Sequence, residues 1–139
     1  MEEFFPKCEN EMLELGRRLV RRFTADSSLP VVYLRGELGA GKTTLVRGML
    51  SELGVTEGVR SPTFTLMQVY ETQPPVLHVD LYRVKSYLGL GLEDYLDTHL
   101  ILIEWPDRAE GLVPTGEAWH VDIDFDDPGR RVRVQAPAG

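Results

Sequence analysis

Residues 36–43 read Gly36-Glu37-Leu38-Gly39-Ala40-Gly41-Lys42-Thr43, which matches G-x-x-x-x-G-K-[ST] without exception. No other stretch constrains the fold so tightly, because such a loop joins the end of a strand to the start of a helix. Both flanks are present. Before the loop, Val31-Val32-Tyr33-Leu34 is a short β-branched run of the kind found in buried strands. After it, Leu45, Val46, Met49, Leu50 and Leu53 recur at helical spacing from Lys42 to Leu53, and Gly54 stands in the C′ position. Gly36 lets the chain turn off the strand, and Gly39 and Gly41 admit the positive φ that points successive N–H groups inward. The helix adds the positive end of its dipole, Lys42 adds a point charge for the β- and γ-phosphates, and the Thr43 hydroxyl is placed for Mg²⁺. The expected guest is a nucleoside triphosphate.

The other elements follow from periodicity. Met12, Leu15, Leu19, Val20 and Phe23 mark an amphipathic helix over 10–23 with Asn10 as its N-cap and Arg17, Arg18, Arg21 and Arg22 on the solvent face. Residues 63–70 and 76–82 read as a β-hairpin with a wide turn at Thr72-Gln73-Pro74-Pro75. In its second strand His78, Asp80 and Tyr82 share one face and Leu77, Val79 and Leu81 the other. A short helix is expected over 92–98, and a buried strand over 100–104 that ends in Glu104. Residues 121–126 and 132–134 alternate around Asp127-Pro128-Gly129 as a half-exposed hairpin, with Asp on one exposed face and Arg on the other.

A phosphate loop works with an acid at the end of a neighbouring strand, which holds the metal or orients water. Asp80 and Glu104 are the two candidates. Guanine recognition through Asn-Lys-x-Asp is excluded, because Asn10 is the only asparagine. A small-molecule kinase shares the loop, yet 139 residues leave little chain for both a lid and an acceptor-binding insertion. His78, His99 and His120 have no metal-ligand spacing and are assigned no chemistry. Trp105, directly after Glu104, is read either as packing or as part of a nucleotide-sensitive surface. Ser61-Pro62-Thr63 lies where such proteins place a γ-phosphate-sensing switch.

Charge narrows the partners. With 15 Lys and Arg against 22 Asp and Glu, the net charge is −7, so a broad nucleic-acid surface is not expected. DNA is not an expected partner, and RNA is expected only through a partner protein. The acidic start lacks a basic and apolar leader, no apolar run approaches a bilayer span, and Cys8 is the only cysteine. These facts point to one domain over 1–139 in a reducing, cytoplasmic setting without a membrane segment.

Taken in order, Gly36 to Thr44, then Ser61-Pro62-Thr63-Phe64-Thr65-Leu66, then His78-Val79-Asp80-Leu81-Tyr82-Arg83, then Ile103-Glu104-Trp105-Pro106, closely resemble the tRNA threonylcarbamoyladenosine biosynthesis ATPases called TsaE or YjeE. The likeness runs from the Leu15-Gly16 helix to the Gly129-Arg130 turn. It implies an α/β, P-loop NTPase-like three-layer fold with a mixed parallel and antiparallel central sheet. It also implies slow, Mg²⁺-dependent ATP hydrolysis that resets a complex of the TsaD and TsaB proteins, in which TsaD transfers threonylcarbamoyl to the tRNA adenosine beside the anticodon.

The same resemblance assigns roles. Gly36, Glu37, Leu38, Gly39, Ala40, Gly41, Lys42, Thr43 and Thr44 would cradle ATP, with Lys42 on the phosphates. Thr43 and Glu104 would hold Mg²⁺, Asp80 would sit against the γ-phosphate and its attacking water, and Thr63 would sense that phosphate. Arg130 would lie near the nucleotide and Glu9 against the base, while Met12 stands where the family often has threonine. Arg83 is the internal candidate for an arginine finger that a partner would otherwise supply. A nucleotide-gated binding module without required turnover and a small-molecule kinase remain as alternatives.

Overall fold

The structure is a computed structural model that describes residues 1–25, 29–37, 39–55, 67–109 and 111–138. Leu38 and the Ser61-Pro62-Thr63 segment lie outside the described residues, as does the start of the expected strand at 63–66. The strands are β1 (Glu2–Phe4), β2 (Val31–Arg35), β3 (Met67–Tyr70), β4 (Val76–Asp80), β5 (Leu100–Glu104), β6 (Trp119–Asp126) and β7 (Gly129–Gln135). The helices are α1 (Glu9–Phe23) and α2 (Lys42–Glu52). One sheet runs in the order β1-β7-β6-β2-β5-β4-β3, parallel at β6/β2, β2/β5 and β5/β4 and antiparallel at β1/β7, β7/β6 and β4/β3. The expected mixed sheet is therefore present, with β2 at its centre.

Strand alternation sorts the core into two layers. Val32, Leu34, Val76, Leu100, Leu102, Val121 and Ile123 meet Met12, Leu15 and Leu19 of α1 and Leu45, Val46 and Met49 of α2 on one face. Val31, Tyr33, Leu77, Val79, Ile101 and Ile103 meet Leu81, Leu92, Ala109 and Leu112 on the other. Among the described residues, that second face is covered by loops and short 3-10 turns.

The termini of the helices explain their extents. Helix α1 starts one residue before the expected cap: Cys8 is the N-cap and makes no side-chain cap bond. The capping bond comes from the third helical position, where Glu11 Oε1 accepts the Lys7 N–H at 2.8 Å. Asn10 lies inside the first turn. Helix α2 ends as expected at Gly54 (φ 102°), where the Val55 N–H bonds to the Leu50 carbonyl and the Gly54 N–H to that of Ser51, a Schellman motif. The helix expected over 92–98 is a 3-10 turn of four residues, Leu92–Tyr95. It follows two positive-φ glycines, Gly89 and Gly91, and only Leu92 in it is buried, which is too little apolar face to stabilise full α-helical turns. Strand β1 is an addition. Two of its three residues are glutamates, and long-range pairing with Val132 to Val134 holds it.

The Asp and Arg faces of the β6/β7 hairpin do meet, but diagonally. Arg133 bonds Asp124 at 3.0 Å, while Arg131 turns away to Glu3 of β1 at 2.6 Å.

Helices α1 and α2 cross at Gly16 and Gly48. A Cβ on Gly48 would fall on the Leu13 carbonyl, and one on Gly16 would fall on the Leu45 carbonyl, so both obstacles are backbone. This contact fixes where the first turn of α2, and with it the glycine loop, sits against the sheet. Gly48→Ala is expected to lower stability by about 2 kcal/mol even after the roughly 1 kcal/mol gain in helix propensity, seen as a melting temperature lower by roughly 5–10 °C. An unchanged melting temperature would show that the helices part without cost.

Candidate functional site

The loop leaves the C-terminal end of β2, between β5 on one side and β6 on the other, which is the kind of crevice where open α/β sheets take their ligands. At Gly36 a side chain would press on the Ile123 carbonyl of β6, so the chain turns there against the neighbouring strand. Gly39 (φ 83°) and Gly41 (φ 113°) hold left-handed backbone, and Gly41 is the N-cap of α2 without a side-chain cap bond. The first amides of α2 are thereby available to an anion.

Arg130 braces this loop from β7. Its Nε donates to the Ala40 carbonyl at 3.0 Å and its Nη2 to the Gly39 carbonyl at 3.4 Å. The Ala40 N–H is itself bonded to the Glu37 carbonyl at 3.0 Å, within the loop. A cavity of about 310 Å³ opens beside it, lined by Pro6 to Glu9, Met12, Gly39 to Gly41, Thr44 and Pro128 to Arg130. The structure thus brings Glu9, Met12, Thr44 and Arg130 to one cavity beside the loop. Glu9 also pairs with Arg47 at 3.1 Å.

Lys42 behaves differently from the rest of the surface lysines and arginines. It is 5% exposed, and its buried Nζ has no hydrogen-bond partner among the described residues. Glu104 Oε1 lies 3.8 Å from Nζ, an ion-pair separation too long for a hydrogen bond, and the Trp105 ring centre lies 4.4 Å away. Burial lowers the Lys42 pKa from its ordinary value, against the opposing pull of Glu104 and Asp80. Trp105 reaches this place through a positive φ of 61°, unusual for a side chain of its size, and its ring packs on Tyr82 at 4.8 Å. A second cavity, about 260 Å³, reaches Lys42 between Gly36-Glu37 and Trp105-Asp107.

The two acids end adjacent parallel strands in register, Asp80 against Glu104, and both lie on the helix side of the sheet. They are 5% and 3% exposed. Asp80 Oδ1 accepts the Tyr82 N–H at 2.9 Å, and Glu104 Oε2 meets His78 Nε2 at 2.7 Å. His78, whose spacing marks no chemistry in the sequence, stands two residues before Asp80 and on the same face. The sequence carries no signal for Arg108, whose Nη1 donates to the Leu81 and Tyr82 carbonyls and ties the turn after β4 to the turn after β5. Arg83 is exposed in the former turn.

A strand, a glycine loop and a helix at the switch point of a mixed sheet, with acids ending the neighbouring strands, define a P-loop α/β protein. The family model for the threonylcarbamoyl adenosine biosynthesis protein TsaE matches residues 7–133, and the chain belongs to that family. A Haemophilus influenzae tRNA threonylcarbamoyladenosine biosynthesis protein TsaE is 37% identical over 92% of this chain and 85% of its own length. Proteins of the same name from Streptomyces coelicolor and Aquifex aeolicus are 39% and 37% identical, covering 88% and 96% of this chain and 86% and 96% of theirs. The crystal structure of Bacillus subtilis YdiB superposes with a TM-score of 0.81 at 28% identity, covering 99% of this chain and 86% of that one.

Proposed function

We propose that the chain is an ATPase of tRNA threonylcarbamoyladenosine formation, and that its ATP turnover resets a TsaD–TsaB transferase complex. The pathway rests on family membership. The chemistry rests on one observation above the others: an ammonium group buried at the mouth of a glycine loop with no hydrogen-bond partner among the described residues. Such a group is costly unless an anion completes it, and the loop amides beside it would bind the same anion.

In this reading Lys42 and the amides of 36–44 hold the triphosphate, with Arg130 bracing the loop and Glu9 and Met12 walling the base. The Thr43 hydroxyl and the Glu104 carboxylate would hold Mg²⁺, in keeping with an ion that binds through few protein oxygens together with phosphate. Bound there, the ion would neutralise part of the charge on the phosphates. Asp80 accepts a proton from the attacking water or orients it, and Lys42 stabilises the charge that grows on the γ-phosphate. Thr63 would sense that phosphate. Trp105 covers Lys42 on one side, and Tyr82 packs on the Trp105 ring.

One domain over 1–139 in the cytoplasm is part of the proposal. One sheet carries all the described strands, and no helix among the described residues is long and apolar enough to cross a membrane. An arginine supplied by the partners would raise turnover by roughly 10³ to 10⁵. Phosphate release from Mg²⁺-ATP is therefore expected to be slow for the chain alone and to rise when TsaD and TsaB are added. An unchanged rate, with no stable association of the three proteins, would contradict the resetting role. Release of ADP only in step with a phosphorylated acceptor would identify a kinase instead.

A further inference from the structure

The structure assigns His78 as a positioning residue for Glu104. His78 is 0% exposed in the middle of β4, where Leu77 and Val79 beside it are equally buried. An apolar side chain would satisfy packing at such a position. Among the described residues the imidazole makes one hydrogen bond there, Nε2 to Glu104 Oε2 at 2.7 Å, and its buried Nδ1 has no partner. An ionised carboxylate only accepts, so Nε2–H is the donor in this pair. The ring is held for the sake of one contact, at the expense of its other nitrogen.

That contact fixes what a glutamate leaves soft. Rotation about the last side-chain bond of Glu is broad, and nothing in an apolar strand would choose a carboxylate plane. With Oε2 taken by His78, Oε1 is turned toward Lys42, 3.8 Å away, at the phosphate end of the crevice. Partners that orient ligating carboxylates are worth roughly 10- to 100-fold in metal affinity. This inference rests on the reading of Glu104 as a ligand for Mg²⁺.

The test uses Mn²⁺ as the probe, titrated into the full chain with ADP and followed by electron paramagnetic resonance. His78→Phe is expected to weaken Mn²⁺ binding by roughly 10- to 100-fold while ADP binding measured in EDTA stays unchanged. Steady-state ATP hydrolysis would then show a lowered kcat with KM little altered. His78→Gln, which returns an N–H donor to the same reach, is expected to restore Mn²⁺ affinity.

A second readout needs no substitution and so survives any failure of the Phe variant to fold. Two-bond ¹H–¹⁵N correlation spectra of the parent chain should show the Nε2–H tautomer of His78, with signals that move when Mg²⁺ is added to the ADP complex. An Nδ1–H tautomer, or signals blind to Mg²⁺, would overturn the assignment. If the parent binds Mn²⁺ and His78→Phe binds it as tightly, His78 alone loses its role. If the parent binds ADP but shows no Mn²⁺ affinity, the reading of Glu104 falls, and the role of His78 falls with it.

Discussion

Lys42→Met is expected to weaken ATP binding by about 100-fold or more and, in the same protein without nucleotide, to raise the melting temperature. The first effect follows from removing the cation buried at the loop mouth; truncating a desolvated charge opposite its partner costs about 2–5 kcal/mol, and each 1.4 kcal/mol is tenfold. The second follows from linkage. Burial lowers the Lys42 pKa below its unfolded value, so the folded chain holds that proton less tightly than the unfolded one. Below the folded-state pKa the ammonium is present and its cost is felt in full. As the pH rises through that value toward the unfolded one, the folded state sheds the proton first and stability increases. A methionine of similar length never carries the cost. Scanning calorimetry of parent and variant should therefore show the variant melting higher near neutrality, with the gap closing at alkaline pH. A variant that melts lower at every pH would mean that Glu104 and Asp80 outweigh the burial of Lys42.

The second large effect separates binding from turnover. Asp80→Asn and Glu104→Gln are each expected to keep ATP binding within about tenfold and to reduce phosphate release by about 100-fold or more, the usual worth of a group that handles a proton in the transition state or the charge around it. Both substitutions leave an acceptor in place. In Asp80→Asn the new amide oxygen still takes the Tyr82 N–H, and in Glu104→Gln it still takes the His78 Nε2–H. Parental turnover in both variants would remove the acids from the chemistry.

Much of this was legible in the sequence because the deciding signals are local. The glycine loop, the strand before it and the helix after it lie within 31–54, and each carries its own periodicity or its own backbone requirement. Asp80 and Glu104 could be found because each closes an apolar run, and strand alternation then puts them on one face. What the sequence hid depends on contacts between distant segments. Gly16 and Gly48 look like weak points in two helices until the helices cross there. His78 looks like an isolated histidine until parallel pairing brings Glu104, 26 residues away in sequence, to its Nε2. The wall of the larger cavity joins Pro6 to Glu9 with Pro128 to Arg130, a meeting held by the Arg130 N–H on the Pro6 carbonyl at 2.9 Å. The cap is a local exception: Cys8, not Asn10, stands at the start of α1, and Glu11 takes the Lys7 N–H four residues away.

The central claim is that the loop and Lys42 form a site for magnesium-bound ATP, and isothermal titration of the folded chain with that ligand reads it directly. One saturable binding event is expected, lost in Lys42→Met. A chain whose circular dichroism and melting confirm its fold, yet which gives no binding heat at several temperatures, would contradict it.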